Sequence, residues 1–164
     1  MRILLLTAAT GAGHIKAANA VEAYIRENTG WDVRCVDCLK AVGRLLDKTV
    51  CDSYLFMAKK TPALFGHLYK GTNRQNVISH LVPKLSGLFS GLLYPAIESY
   101  QPDVIITTHP FATEMVADLK ADGVIRTPLI CIITDYGAHR AYIASQVDSY
   151  VVASDDMVPE LREF

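Results

Sequence analysis

The segment Ile3–His14, with the sequence ILLLTAATGAGH, decides the fold of this 164-residue chain. A short apolar run leads into a glycine-containing turn, and the next segment, Ile15–Glu27, has apolar residues at helical spacing. Continuous apolar runs are typical of strands that are buried on both faces of a parallel sheet. The order of strand, glycine loop and helix therefore predicts the first unit of a Rossmann-like domain.

The same alternation continues along the chain. Four more apolar runs predict strands: Asp32–Asp37, Asp103–Thr108, Pro128–Thr134 and Ser149–Ala153. A second helical segment, Phe111–Ala121, lies between two of these runs. Strands that alternate with helices indicate a parallel sheet with crossover connections. The predicted fold class is therefore α/β, a Rossmann-like parallel sheet with helices on both faces.

The connection after the second strand is far longer than an ordinary crossover of about a dozen residues. It is predicted to form a helical insert at about residues 40–100. Proline and glycine are expected to divide this insert into short helices; they occur at Pro62, Gly66, Gly71, Pro83, Gly87 and Gly91. Residues 40–90 contain eight basic and two acidic residues, a net charge of +6, while the rest of the chain carries −7. This asymmetry suggests a surface for an anionic partner.

Basic and aromatic residues beside aliphatic ones are typical of helices that lie among lipid headgroups. For Arg44–Arg74, a membrane-facing role and a helical layer packed on the sheet remain equally open. For Ile78–Tyr100 the packed layer is favoured. The candidate membrane-facing residues are Lys59, Lys60, Leu64, Phe65, Lys70 and Arg74.

Composition limits the classes of function. Apolar residues make up 51% and charged residues 20%, which is ordinary for one folded domain. The net charge of −1 excludes a globally basic nucleic-acid binder. The chain has neither a signal-peptide pattern nor an uncharged apolar stretch of about 20 residues, so a cytoplasmic protein is expected.

Two cysteines, Cys35 and Cys38, form a CxxC motif that could be half of a zinc site or a redox pair. The chain has no second CxxC, and Cys35 falls within a predicted strand. Buried structural thiols are therefore the favoured interpretation.

The glycine loop offers a binding site where the first helix begins. Gly11 and Gly13 allow the backbone to turn, and amide groups at a helix start suit a phosphate or diphosphate. The loop is not a complete dinucleotide fingerprint, because Lys16 stands where the third glycine would be. A neutral His14 at this helix start could accept a proton, although a capping or core histidine remains an open alternative.

Polar residues also follow the later strands. His109 comes after the third run, and Asp135 and His139 come after the fourth. In open parallel sheets ligands bind beyond the carboxyl ends of the strands, so these residues should converge with His14. A zinc site is possible, but the histidines lack HxH or HxxxH spacing. A site that handles a hydroxyl group, without a metal, is favoured.

Three segments resemble one known family. They are Thr7–His14 with the following Lys16-Ala17-Ala18, then Asp103–Pro110, then Thr134-Asp135 with His139. Their order and spacing are similar to those of the N-terminal domain of the monogalactosyldiacylglycerol synthase family, which includes bacterial processive diacylglycerol glucosyltransferases. The resemblance extends from Met1 to about Pro159.

The resemblance implies half of a GT-B architecture, spanning residues 1–164 of this chain. The N-terminal domain would bind diacylglycerol at anionic membrane lipids, peripheral to the inner face of the cell membrane. The C-terminal domain, absent from this chain, would bind the UDP-sugar that donates a hexose. The full-length protein would then be a hexosyltransferase that needs no cofactor, metal or nucleic acid, and the isolated chain would be inactive.

The resemblance also implies roles for individual residues. His14 and Asp135 would be catalytic, His14 as the general base for the acceptor hydroxyl. The loop residues Gly11 and Gly13 would lie near the donor diphosphate. Substrate contacts are further implied for His109, His139 and Tyr142, the last at about the place of a tryptophan in the family.

Two other functions stay open. A stand-alone nucleotide- or dinucleotide-binding Rossmann domain would use an acidic residue at the end of the second strand for the ribose, and Asp37 lies there. A non-catalytic membrane-surface module would use only the basic and apolar insert.

Overall fold

The computed structural model describes residues 1–9, 12–43, 81–137 and 139–164, with the side chains of 81–88 excepted. Gly11 and the candidate membrane-facing residues Lys59, Lys60, Leu64, Phe65, Lys70 and Arg74 lie outside these ranges. The elements that follow one another in the described ranges are β1 (Arg2–Thr7), α1 (Ala12–Asn28), β2 (Asp32–Asp37), α2 (Cys38–Gly43), α3 (Leu81–Tyr100), β3 (Val104–Thr107), α4 (Pro110–Ala121), β4 (Leu129–Ile132), a short 3-10 helix (Arg140–Tyr142), β5 (Ser149–Val151) and α5 (Met157–Leu161).

The strands form one parallel sheet in the order β2-β1-β3-β4-β5. Ile3 is paired with Val33 on one side and with Val104 on the other, so β1 lies between β2 and β3. The connections that leave β1 and β3 run towards opposite edges of the sheet. The carboxyl ends of these two strands therefore form the topological switch point, where open α/β sheets bind ligands.

Alternate residues of β1 are buried against opposite layers. Ile3 and Leu5 pack with Ile25 of α1, while Leu4 and Leu6 belong to a second cluster that includes residues of α2, α3 and α4. Burial on both faces explains why β1 has a continuous apolar sequence. The predicted Rossmann-like α/β fold, with helices on both faces of a parallel sheet, is confirmed.

The expected division of the insert into short helices is wrong for residues 81–100, which form the single helix α3. Pro83 lies in the first turn, where the missing N–H would have no partner within the helix. The glycines at 87 and 91 cost about 1 kcal/mol each relative to alanine. Packing offsets that cost, because Phe89, Leu93, Ile97 and Tyr100 of α3 are buried against the sheet. The packed helical layer favoured for this part of the chain is therefore confirmed.

Within the ranges that the structure describes, no helix is both long enough and apolar enough to cross a bilayer.

Candidate active site

His14 is the third residue of α1 and lies at the switch point between β1 and β3. The connection from β1 to α1 is short, so the end of the strand fixes where the helix begins. The His14 side chain is half-buried. The structure thus places this imidazole at the sheet edge that the sequence predicted.

The backbone carbonyl of Thr108, directly after β3, favours a proton on one particular nitrogen of His14. The Nδ1 atom of His14 lies 2.8 Å from the carbonyl oxygen of Thr108. A carbonyl oxygen can only accept a hydrogen bond, so Nδ1 must donate and the neutral ring has its lone pair on Nε2. A histidine held in this tautomer can accept a proton at Nε2.

Thr108 also ties the start of α1 to two strands. Its hydroxyl lies 3.0 Å from the Thr7 hydroxyl oxygen and 3.0 Å from the His14 carbonyl oxygen. Both threonine side chains are buried, so these contacts are shielded from water. They join the ends of β1 and β3 to the first turn of α1.

A hydroxyl group from the segment after β4 reaches the same imidazole. Thr134 Oγ1 lies 2.8 Å from His14 Nδ1 and 3.1 Å from the Tyr142 hydroxyl oxygen. Burial raises the pKa of Tyr142 above its ordinary value, so its side chain is a neutral phenol. These contacts form a chain from the interior of the domain to His14.

Tyr142 does not lie where an acceptor contact was expected. Its side chain is 0% exposed and packs with Cys131, Ile133 and Met157. A substrate in the crevice would not reach the ring without rearrangement of this cluster. The contact of Tyr142 with the site is instead its hydroxyl, through Thr134.

His109 lies directly beside His14, with ring centroids 4.4 Å apart in an edge-to-face arrangement. It caps α4, because His109 Nδ1 accepts a hydrogen bond from the backbone N–H of Phe111 at 3.0 Å. Burial, and then the neighbouring His14, lowers the pKa of His109 to about 3. His109 is therefore neutral at physiological pH and carries its proton on Nε2.

The loop after β4 holds the other predicted site residues. Asp135 and His139 are half-buried, and Asp135 is close enough to Tyr142 to raise the pKa of that phenol. His139 Nδ1 accepts from the backbone N–H of Ala141 at 3.1 Å and caps the 3-10 helix, much as His109 caps α4. Tyr136, between them, is 93% exposed.

Gly13 is exposed, and a Cβ atom added there would meet no heavy atom within 4 Å. Crowding inside the described part of the protein does not explain a glycine at this position. The open space above Gly13 leaves room for another molecule to approach the first turn of α1.

Two of the described imidazoles each use one ring nitrogen to cap a helix. His109 and His139 use Nδ1 to accept backbone N–H groups, and that nitrogen is not available to a metal in this arrangement. Among the described residues, no group of three or more histidine, cysteine or carboxylate side chains could hold a metal ion.

The CxxC pair spans the end of β2 and the start of α2. Cys35 is half-buried in β2 and Cys38 is buried at the start of α2. Burial raises the pKa of both thiols, which disfavours the thiolate that a redox or metal site needs. Their placement fits the predicted structural role.

The side chain of Asp37 caps the helix that follows it. Its Oδ1 accepts the backbone N–H of Leu39 at 3.0 Å and that of Lys40 at 3.4 Å, as an N-cap of α2. A ribose would have to compete with these bonds. The dinucleotide-binding alternative is correspondingly weakened.

Sequence reasoning assigned no role to Thr108 or Thr134, although both proved to contact His14. Each is the last residue of a predicted strand run. A hydroxyl residue at the carboxyl end of a buried apolar run is the signal that could have indicated them.

A family model and several named bacterial proteins are similar to this chain. Residues 14–163 match the family model described as monogalactosyldiacylglycerol (MGDG) synthase. The chain is 27% identical over 157 residues to proteins named processive diacylglycerol beta-glucosyltransferase from Bacillus thuringiensis (strain Al Hakam), Bacillus cereus (strain AH187) and Bacillus anthracis (strain A0248). Each alignment covers 94% of this chain but only 39% of the relative. No solved structure matches the chain significantly.

Proposed function

Because this chain belongs to the monogalactosyldiacylglycerol synthase family, we propose that it is the acceptor-binding domain of a glycolipid glycosyltransferase. The complete protein moves a hexose from a UDP-sugar to the 3-hydroxyl of diacylglycerol. The observation that carries the chemistry is the His14 imidazole, held at the switch point with Nδ1 on the Thr108 carbonyl. The names of the Bacillus relatives support the lipid acceptor.

His14 is the general base in this proposal. As the acceptor oxygen forms a bond to the anomeric carbon of the sugar, the bond from that carbon to the diphosphate breaks and the configuration inverts. The hydroxyl proton passes to Nε2 of His14. The imidazolium that forms still donates from Nδ1 to Thr108, which stabilises the new charge.

The other residues of the sheet edge surround this reaction. The open surface over Gly13 receives the departing diphosphate, towards the amide groups of the first turn of α1. Gly11 belongs to the same loop. Asp135, the second catalytic residue, lines the cleft with His109 and His139, which present neutral imidazoles there when their Nδ1 atoms accept backbone N–H groups.

The donor is bound by a second domain. The chain spans about two fifths of the length of the relatives that it matches, and a GT-B enzyme closes its active site between two Rossmann-like domains. In this proposal, transfer requires both domains. It contacts anionic lipids from the cytoplasmic side through the basic insert, and no cofactor or metal takes part.

The test is a transfer assay with the full-length protein that contains this chain. Diacylglycerol is supplied in vesicles of neutral lipid or of neutral lipid mixed with anionic lipid, with UDP-glucose or UDP-galactose as donor. A glycolipid product from one of these donors, with faster transfer and vesicle co-sedimentation on the anionic vesicles at low salt, supports the proposal. Absence of a glycolipid product with both donors contradicts the transferase role, and equal behaviour on both kinds of vesicle contradicts the anionic-lipid contact.

A further inference from the structure

We propose that Tyr142, acting through Thr134, is a positioning residue that keeps the proton of neutral His14 on Nδ1 and leaves Nε2 free to accept. This role rests on the proposed function of His14 as a base, but it concerns only the positions of the His14 imidazole proton and the Thr134 hydroxyl proton. It can therefore be tested without any transfer reaction.

The first step follows from the Thr108 carbonyl. Because that oxygen accepts from His14 Nδ1 at 2.8 Å, Nδ1 carries hydrogen and has no lone pair to offer. Thr134 Oγ1 lies 2.8 Å from the same nitrogen. Thr134 can therefore only share the Nδ1 hydrogen as a second acceptor, and its own hydroxyl proton must point elsewhere.

Tyr142 supplies the acceptor for that proton. In the described part of the chain, the Thr134 hydroxyl has two polar contacts, His14 Nδ1 and the Tyr142 oxygen at 3.1 Å. Because the Thr134 proton cannot point to a nitrogen that itself carries hydrogen, it points to the phenol oxygen of Tyr142, which acts as its acceptor.

Loss of the Tyr142 hydroxyl should reverse this pattern. Tyr142→Phe keeps the buried ring but removes the acceptor, and the side chain is fully buried, so water does not readily replace it. Among the described protein groups, the Thr134 proton then has one remaining contact, Nδ1 of His14, which can accept it only if the imidazole proton moves to Nε2. A ring in that tautomer cannot take a proton at Nε2.

The tautomer of neutral His14 can be read from the chemical shifts of its two ring nitrogens by nitrogen-15 NMR on this chain, at about pH 8.5, where neutral histidine predominates. The wild-type ring is expected mainly with hydrogen on Nδ1. Tyr142→Phe should change the tautomer ratio towards Nε2–H by about tenfold. The double variant Thr134→Val/Tyr142→Phe should return to Nδ1–H, because the competing donor is gone and the Thr108 carbonyl remains.

Tyr150→Phe is the matched control, because the Tyr150 hydroxyl bonds to the backbone of Ala144 and not to Thr134. It should leave the His14 tautomer unchanged, and amide spectra verify that each variant is folded. A wild-type ring with hydrogen on Nε2 overturns the proposal. So does an unchanged ratio in Tyr142→Phe, or a double variant that keeps Nε2–H. Transfer by the wild-type full-length protein is measured separately, so failure here and failure of the proposed function are distinguishable.

Discussion

His109 should make the domain sensitive to acid, and the size of the effect follows from its pKa. Burial lowers this pKa from 6.5 to about 3, so the folded protein keeps the ring neutral where an unfolded chain would protonate it. The unfolded state then binds more protons between these two pH values. The stabilising contribution of neutral His109 is therefore complete above about pH 6.5 and is lost progressively as the pH falls towards 3.

The expected slope is about 1.4 kcal/mol for each pH unit below 6.5, because that is the free energy of one unit of pKa shift. Two units of acidification would remove about 3 kcal/mol, a large part of the roughly 5–15 kcal/mol of a typical domain. The suitable variant is His109→Asn, since asparagine can still cap α4 by accepting the Phe111 N–H but does not titrate.

The assay is urea unfolding of wild type and His109→Asn at several values from about pH 7.5 to 4.5. Loss of the ring contact with His14 gives a constant offset between the two proteins. The informative quantity is the slope: the wild type should lose stability relative to the variant as the pH falls below about 6.5. Parallel stability curves would refute the burial of a neutral His109.

Two other substitutions should leave the stability unchanged or raise it, and the second of them should also slow transfer. Burial, with a smaller effect from Asp118, raises the pKa of Glu114 from 4.5 to about 7, so the folded state favours the protonated acid. Because glutamine carries no charge at any pH, Glu114→Gln should stabilise the protein by roughly 3 kcal/mol above pH 7 and by almost nothing below pH 4.5. Urea unfolding at both pH values checks this, with Glu27→Gln on the exposed surface of α1 as the control, and a pH-independent difference would contradict it. Gly13→Ala should leave the melting temperature unchanged or raise it, since the site is open and alanine favours a helix by up to about 1 kcal/mol. It should nevertheless slow transfer in the full-length protein, and full activity would show that no ligand approaches this backbone.

The sequence predicted the sheet and the meeting of His14 with His109 for one physical reason. Strands buried on both faces have continuous apolar runs, and the carboxyl ends of parallel strands meet at one edge. Ile3–Leu6 and the residues after β3 therefore indicated both the fold and the position of these imidazoles. Local sequence was sufficient for this prediction, because a strand that is buried on both faces is apolar along most of its length and all parallel strands end at the same edge of the sheet.

Other features depend on contacts that local sequence does not contain. Gly87 and Gly91 disfavour a helix locally, yet α3 is continuous because its apolar face packs on the sheet. The position of Tyr142 in a motif suggested a contact with substrate, but the residues packed around its side chain bury it completely. Thr134 meets His14 across 120 residues of sequence, and no local pattern assigns that hydrogen bond.

The most direct measurement is the initial rate of hexose transfer from UDP-sugar to diacylglycerol by the full-length protein and its His14→Asn variant. Asparagine can still donate an amide N–H towards the Thr108 carbonyl but supplies no base. If His14 takes the proton of the acceptor hydroxyl, kcat should fall by about 10²–10⁴-fold with little change in KM for diacylglycerol. A near-normal kcat in His14→Asn would contradict the assignment of His14 as the base.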